Sequence, residues 1–182
     1  MAINPARIKK ILSTPIFDVE EVELKDSTDQ SKQMYRLSCS DWANVLAITT
    51  DQKAVLVRQP RAGALSEILE TPGGMLDPEE RDPTIAAQRE LEEETGFTSQ
   101  RILALGTFNP NPAIMTNRIH YFLALGCYLN PSRSHFPDPE EQIKIEIVEA
   151  KSLNQLVRTR RIDHALSALC IMLASKYIDI GS

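Results

Sequence analysis

The reading turns on Gly74-Met-Leu-Asp-Pro-Glu-Glu80-Arg-Asp82-Pro83-Thr-Ile-Ala-Ala-Gln-Arg89-Glu90-Leu91-Glu92-Glu93-Glu94-Thr95-Gly96-Phe97. It predicts a helix from about Pro83 to Thr95. Asp82 is a good N-cap, Pro83 suits the first helical position, and Gly96 suits the left-handed residue past the end. Within the helix Glu90, Glu93 and Glu94 stand at i, i+3 and i+4, so they share one arc of about 100°. Glu90 and Glu94 lie about 6 Å apart along the axis. Ala86 and Ala87 continue that face one turn earlier, while Ile85 and Leu91 point away from its centre. Small neighbours leave room for something to approach the carboxylates.

Such a cluster is costly inside a cleft. At an effective dielectric of about 20, two carboxylates about 6 Å apart repel by roughly 3 kcal/mol. A divalent cation removes that cost. Hard oxygens without His or Cys suit Mg²⁺ or Mn²⁺ rather than zinc. A solvated acidic helix is the plainer reading of a bare Glu-Leu-Glu-Glu-Glu run, and the loop ahead weighs against it. Pro72-Gly73-Gly74 can turn tightly and present a backbone carbonyl, and Glu70 and Glu80 flank the same loop. Arg89, four residues before Glu93, can hold one carboxylate in place.

Outward from this centre, the chain reads as one ordinary globular domain. It has 182 residues, 42% apolar and 25% charged, enough for a full core. The formal charge of −5 argues against a nucleic-acid polymer as partner. The strongest apolar stretch, Ala165 to Ala174, is far shorter than the roughly 20 residues that span a bilayer. The start, Met-Ala-Ile-Asn-Pro, has no apolar signal core, and the three scattered cysteines Cys39, Cys127 and Cys170 suit a reducing cytoplasm.

The first half reads mainly as strands. Phe17–Leu24 and Gln33–Cys39 alternate, with a polar loop, Lys25–Ser31, between them. Val45–Thr49 and Ala54–Val57 read as a hairpin. Ile102–Leu105, Ile119–Leu125 and Ile143–Val148 are further strands, set apart by proline-rich connections. Helices are expected over Leu153–Arg158 and Ile162–Tyr177. Strands on both sides of a central helix, with another helix at the end, argue for a mixed α/β sandwich. The first forty or so residues fit either extra strands on the main sheet or a small sheet that docks on a second subunit. Trp42 is read for core packing or for stacking on a base. His120, His135 and His164 share no spacing and are read as ordinary surface or core residues.

The segment Gly74–Phe97 resembles the Nudix box, G-x5-E-x7-R-E-U-x-E-E-x-G-U with U a bulky apolar residue. Its second half matches at every position. In its first half eight residues, not seven, separate Glu80 from Arg89. The extra one falls near Arg81, ahead of the helix, so Glu79 and Glu80 both come into question for that position. Val55-Leu-Val-Arg-Gln-Pro-Arg61, followed by Glu70-Thr-Pro-Gly-Gly74, looks like the ADP-ribose pyrophosphatase branch. So does Pro112, fifteen residues past Phe97, within Asn109–His120.

The resemblance implies a Nudix α/β/α sandwich with a mixed β-sheet and an N-terminal β-strand extension. Residues 1–40 would form that extension, for dimerisation, and residues 41–182 the hydrolase domain. It implies Mg²⁺-dependent cleavage of ADP-ribose and related nucleoside diphosphate sugars, such as GDP-mannose, by a cytoplasmic homodimer. Glu90, Glu93 and Glu94, with the Gly73 carbonyl, would hold Mg²⁺, Mn²⁺ being the other candidate. Glu141, then Glu140, or Glu93 of the box, would take the proton. Arg61, Glu70 and Met75 would line the substrate site, Asn111 and Pro112 would shape its sugar side, and Trp42 is the candidate for stacking. The other readings are a Nudix hydrolase of a dinucleoside polyphosphate, NADH or an oxidised nucleoside triphosphate, and a non-catalytic ADP-ribose sensor. Retention of Arg89, Glu90, Glu93 and Glu94 argues against the sensor.

Overall fold

A computed structural model of the chain describes residues 5–26, 28–136 and 142–182. They divide into two units: one of the N-terminal residues through Asp41 with Phe108–Ile119, the other of Trp42–Thr107 with His120–Ser182.

In the first unit β1 (Arg7–Ser13), β2 (Asp18–Lys25) and β3 (Ser31–Ser38) form an antiparallel sheet in that order. Alternation in β2 and β3 is legible in the sequence. Arg7–Ser13 is not, because every residue of β1 is exposed and no buried face imposes a period of two. The Phe108–Ile119 segment joins this unit through Leu37, whose N–H donates to the Ile114 carbonyl and whose own carbonyl accepts from Thr116.

The second unit carries β4 (Trp42–Thr49), β5 (Lys53–Arg61), β6 (Ser66–Glu70), β7 (Gly73–Met75), α1 (Pro83–Thr95), β8 (Phe97–Thr98), β9 (Arg101–Phe108, its last residue in the first unit), β10 (Ile119–Leu129, its first residue in the first unit), β11 (Lys144–Glu149), a short 3₁₀ turn, α2 (Leu153–Arg158) and α3 (Ala165–Ala174). The sheet runs β11-β5-β4-β10-β8, with β6 on β5, β7 on β4 and β9 on β10.

β4 explains the layering. It is apolar almost throughout, as a strand covered on both faces must be. Ala43, Val45 and Ala47 share one cluster with Ala86, Ala87 and Leu91 of α1. On the alternate face Asn44 points to the other side, where its amide oxygen joins a chain of hydroxyls reaching Ser167 of α3. Successive side chains point to opposite faces, so α1 and α3 cover the two sides of the sheet, and the α/β sandwich expected from the sequence is what forms. No helix among the described residues is long and apolar enough to cross a membrane.

Two expected elements need correction. Gly73–Met75 is a strand rather than only a turn: Gly73 pairs with Asn44 and Gly74 with Ala43. A Cβ on Gly73 would lie 2.4 Å from the Ala43 carbonyl oxygen, so only glycine lets the strands approach this closely. The last helix spans Ala165–Ala174, not Ile162–Tyr177. The chain turns at Arg160, with φ 58°, and His164 is extended, so the helix starts three residues later than apolarity suggests.

Candidate active site

α1 begins and ends as its sequence dictates. The Asp82 carboxylate accepts from the Thr84 N–H, and Gly96 at φ 73° sends its N–H to the Glu92 carbonyl. Leu91, Ala86 and Ala87 bury against the sheet, which fixes the helix's rotation and turns Glu90 and Glu94 toward β7.

Four glutamates then meet four different surroundings. Glu94 is buried; its Oε2 accepts from the Gly73 N–H at 2.9 Å and its Oε1 from Gln59 Nε2 at 3.2 Å. Burial, with the nearby Glu90 charge, outweighs those bonds and pushes its carboxyl up to about 8. Glu90 lies against Gly74, where an added Cβ would stand 2.4 Å from Glu90 Oε1. Glu93 is bonded to Arg89 at 2.9 Å. Glu92 points elsewhere: its Oε1 accepts from Asn130 Nδ2 and the Ser134 N–H, tying the helix to the connection after β10.

Arg89 is the hub. A guanidinium has five N–H donors, and five bonds leave this one. Nε and Nη2 hold Glu80 at 2.9 and 3.1 Å, Nη1 holds Glu90 and Glu93, each at 2.9 Å, and Nη2 also reaches the Met75 carbonyl at 2.9 Å. The bond from Arg89 holds the Glu80 carboxyl below the usual range despite partial burial. Glu80 thus reaches Arg89 across the longer connection, its own N–H held by the Asp77 carbonyl. The sequence suggests that Arg89 holds one carboxylate; it holds three and a backbone carbonyl as well.

Beside this cluster Arg61, at the end of β5, makes a two-pronged pair with Glu70, at the end of β6, at 2.8 and 2.9 Å. Glu70 is 2% exposed. Burial alone would push its carboxyl up, but the hydrogen bonds from His164 and Arg61, with the Arg61 charge, outweigh it and hold it below the ordinary value. Trp42 is half-buried and faces Met75 in the β4–β7 register. Asn111 and Pro112 belong to the first unit, where the Asn111 carbonyl accepts from Ile114 and Met115. Glu140 and Glu141 lie outside the described residues. Sequence reasoning gives Gln59 no role and reads His164 as an ordinary surface or core residue, whereas the structure sets it against Glu70. The signal for Gln59 is a polar residue within the apolar β5 run; His164 has none, since only folding brings it to Glu70.

The donor set fits a hard divalent cation. Glu90 and Glu94 offer carboxylate oxygens beside the Gly73–Gly74 backbone, Glu93 joins Glu90 on Arg89, and the buried Glu94 is the kind of group a cation would relieve. The fit is one of donor type and proximity, for among the described residues no three acidic, His or Cys side chains are already gathered as a cage.

Comparison with protein families matches residues 41–168 to the NUDIX domain. An ADP-ribose pyrophosphatase of Bacillus subtilis (strain 168) is 29% identical over 165 residues, covering 90% of this chain and 87% of that protein. The ADP compounds hydrolase NudE of Escherichia coli (strain K12) is 25% identical over 138 residues, 75% of this chain and 74% of that one. A crystal structure of an ADP compounds hydrolase superposes with a TM-score of 0.82 at 21% identity, over 97% of this chain and 94% of the other, which speaks to the fold alone.

Proposed function

The chain belongs to the NUDIX domain family and is a Nudix pyrophosphohydrolase, and from that premise we propose that it cleaves the pyrophosphate bond of ADP-ribose and related nucleoside diphosphate sugars. The products are a nucleoside monophosphate and a sugar phosphate. The observation that carries the reading is the buried Glu94, tethered to the Gly73 N–H, with Glu90 packed on Gly74 beside it. The similarity to the B. subtilis ADP-ribose pyrophosphatase supports the substrate class.

In this reading Glu90, Glu93, Glu94 and the Gly73 carbonyl would hold Mg²⁺, with Mn²⁺ as the other candidate. A divalent cation there would supply charge to offset the diphosphate and would make water more acidic. The protein's own contribution is placement. Arg89 keeps Glu90 and Glu93 on one side of the cluster, and Gln59 and the Gly73 N–H fix Glu94. Arg61, held flat by Glu70, offsets phosphate charge as the bridge breaks. Met75 and Trp42 border the substrate. Glu141, then Glu140, takes the proton from the attacking water, with Glu93 as the box alternative.

Residues 1–40 are proposed as a dimerisation extension of a hydrolase domain over 41–182. The apolar Ile8, Ile11 and Leu12 of β1 are exposed and available to a second copy. None of the three cysteines is in a disulfide, in keeping with a cytoplasmic enzyme.

The test is a hydrolysis panel of ADP-ribose, GDP-mannose, ADP-glucose, NADH and diadenosine polyphosphates, with and without Mg²⁺. ADP-ribose is expected to lead, EDTA to abolish turnover and added Mg²⁺ to restore it. Glu94→Gln should lower turnover about a hundredfold or more, the upper end of what changes one shell further out cost. Turnover that survives EDTA, or a panel led by a dinucleoside polyphosphate, would replace this reading.

A further inference from the structure

His164 immediately precedes α3 and is about a third exposed. Its Nδ1 lies 3.1 Å from Glu70 Oε2 and 3.1 Å from Ser167 Oγ. Ser167 is fully buried; its Oγ accepts from the Thr71 N–H at 3.1 Å and lies 3.1 Å from Thr71 Oγ1. Thr71 Oγ1 in turn donates to Asn44 Oδ1 at 2.6 Å.

Proton accounting assigns a direction to this chain. A hydroxyl has one proton to give. The Thr71 hydroxyl is directed at both Asn44 Oδ1 and Ser167 Oγ, so it leaves the direction of the Ser167–His164 bond to be set at the histidine. Glu70 sets it: an ionised carboxylate only accepts, so the 3.1 Å contact requires a proton on His164 Nδ1. Ser167 Oγ, at the same distance, shares that proton.

We infer that His164, as the Nδ1–H tautomer, is a positioning residue for substrate binding. It bonds the same Glu70 Oε2 that accepts from Arg61 Nη2, and through Ser167 it anchors Thr71, two residues ahead of Gly73. Glu70 is gripped from two sides: Arg61 from β5 and His164 from the start of α3. With one side removed, the carboxylate can swing and the guanidinium loses its fixed plane. His164 acts through Glu70 and has no part in the bond cleavage itself. The inference rests on the hydrolase reading only in taking Arg61 as the group that meets the diphosphate.

The experiment uses the full chain with His164→Leu, which removes the donor, and His164→Asn, whose amide Nδ2 can stand where Nδ1 stood. Two readouts are taken: steady-state kinetics on ADP-ribose with Mg²⁺, and solvent exchange of the Arg61 Nε–H by NMR. His164→Leu is expected to raise KM about tenfold while kcat changes less than about twofold, the size of effect that losing one hydrogen bond to a charged group produces. Arg61 Nε–H exchange should quicken by about the same factor. His164→Asn should return both toward the parent values.

An unchanged KM with unchanged exchange in His164→Leu overturns the inference. So does an equal loss in both variants, which would mark a packing role. Should His164→Leu fail to fold, the ¹⁵N shifts of the His164 ring in the unmodified protein decide: an Nδ1–H pattern supports the inference and an Nε2–H pattern sinks it. If the unmodified protein does not turn over ADP-ribose, the substrate reading fails, while the Arg61 exchange and the ring shifts still judge the positioning role.

Discussion

At the scale of single residues, function here depends on which partner each charge has. Arg89 uses all five donors, and three of its partners are carboxylates that would otherwise repel one another. Arg89→Ala should therefore destabilise the protein by about 2–3 kcal/mol, since it leaves a part-buried acidic cluster without its cation. For a chain of this length that lowers the melting temperature by about 5–10 °C. Millimolar Mg²⁺ should recover more of the loss in the variant than it adds to the parent, because the ion replaces the missing charge; thermal melts with and without Mg²⁺ check this. Glu70 makes the pH prediction. Its folded carboxyl lies below the ordinary 4.5, so the folded state binds that proton more weakly than the unfolded chain. Its stabilisation is complete above 4.5 and disappears as pH falls through the lower folded value. Denaturant titrations of the parent and Glu70→Gln should show a stability gap near neutrality that closes in acid. A gap that widens in acid would reverse the assignment.

At the scale of elements, the adjacent glycines of β7 have different jobs. A Cβ at Gly73 would strike backbone, the Ala43 carbonyl oxygen at 2.4 Å and Asn44 Cα at 2.9 Å, which cannot yield without parting the strands. A Cβ at Gly74 would strike the end of the Glu90 side chain, which can rotate away. Gly73→Ala should cost about 1–3 kcal/mol of stability, the usual range for overpacking. Gly74→Ala should fold nearly as well as the parent yet lose about tenfold or more in turnover, because Glu90 is displaced from the cluster. Paired melts and rate measurements separate the two; equal behaviour would mean that the Gly74–Glu90 contact has no role in turnover. Much of this level is legible in the sequence. Asp82, Pro83 and Gly96 set the limits of α1 through local backbone chemistry alone. The ends of α3 are not legible, because apolar residues recur just beyond both, Ile162 before it and Tyr177 and Ile178 after it, and the start is set by a turn at Arg160 and by what His164 meets in space.

At the scale of the whole molecule, the first unit exposes apolar side chains on β1, and the proposal of a homodimer makes a direct prediction. Light scattering should give the mass of two chains at micromolar concentration, and Ile11→Lys combined with Leu12→Lys should shift it toward one, by placing charge where apolar surface would be covered. A clean monomer in the parent protein would remove the dimer.

The sequence by itself determined the helix with its caps, the carboxylates on one helical face and the alternation of strands about it. These follow from spacing of 3.6 and 2 residues and from backbone preferences that act within a few positions. Only the tertiary structure decided which glutamates share Arg89, that Glu92 faces away from them, and that Gln59, Arg61, Glu70 and His164 stand beside the acidic helix. Apart from Arg89 with Glu90 and Glu93 on the same helix, those pairings join residues from about ten to about a hundred positions apart. No local rule reaches so far; they exist because a sheet buried on both faces brings α1 and α3 against the same strand.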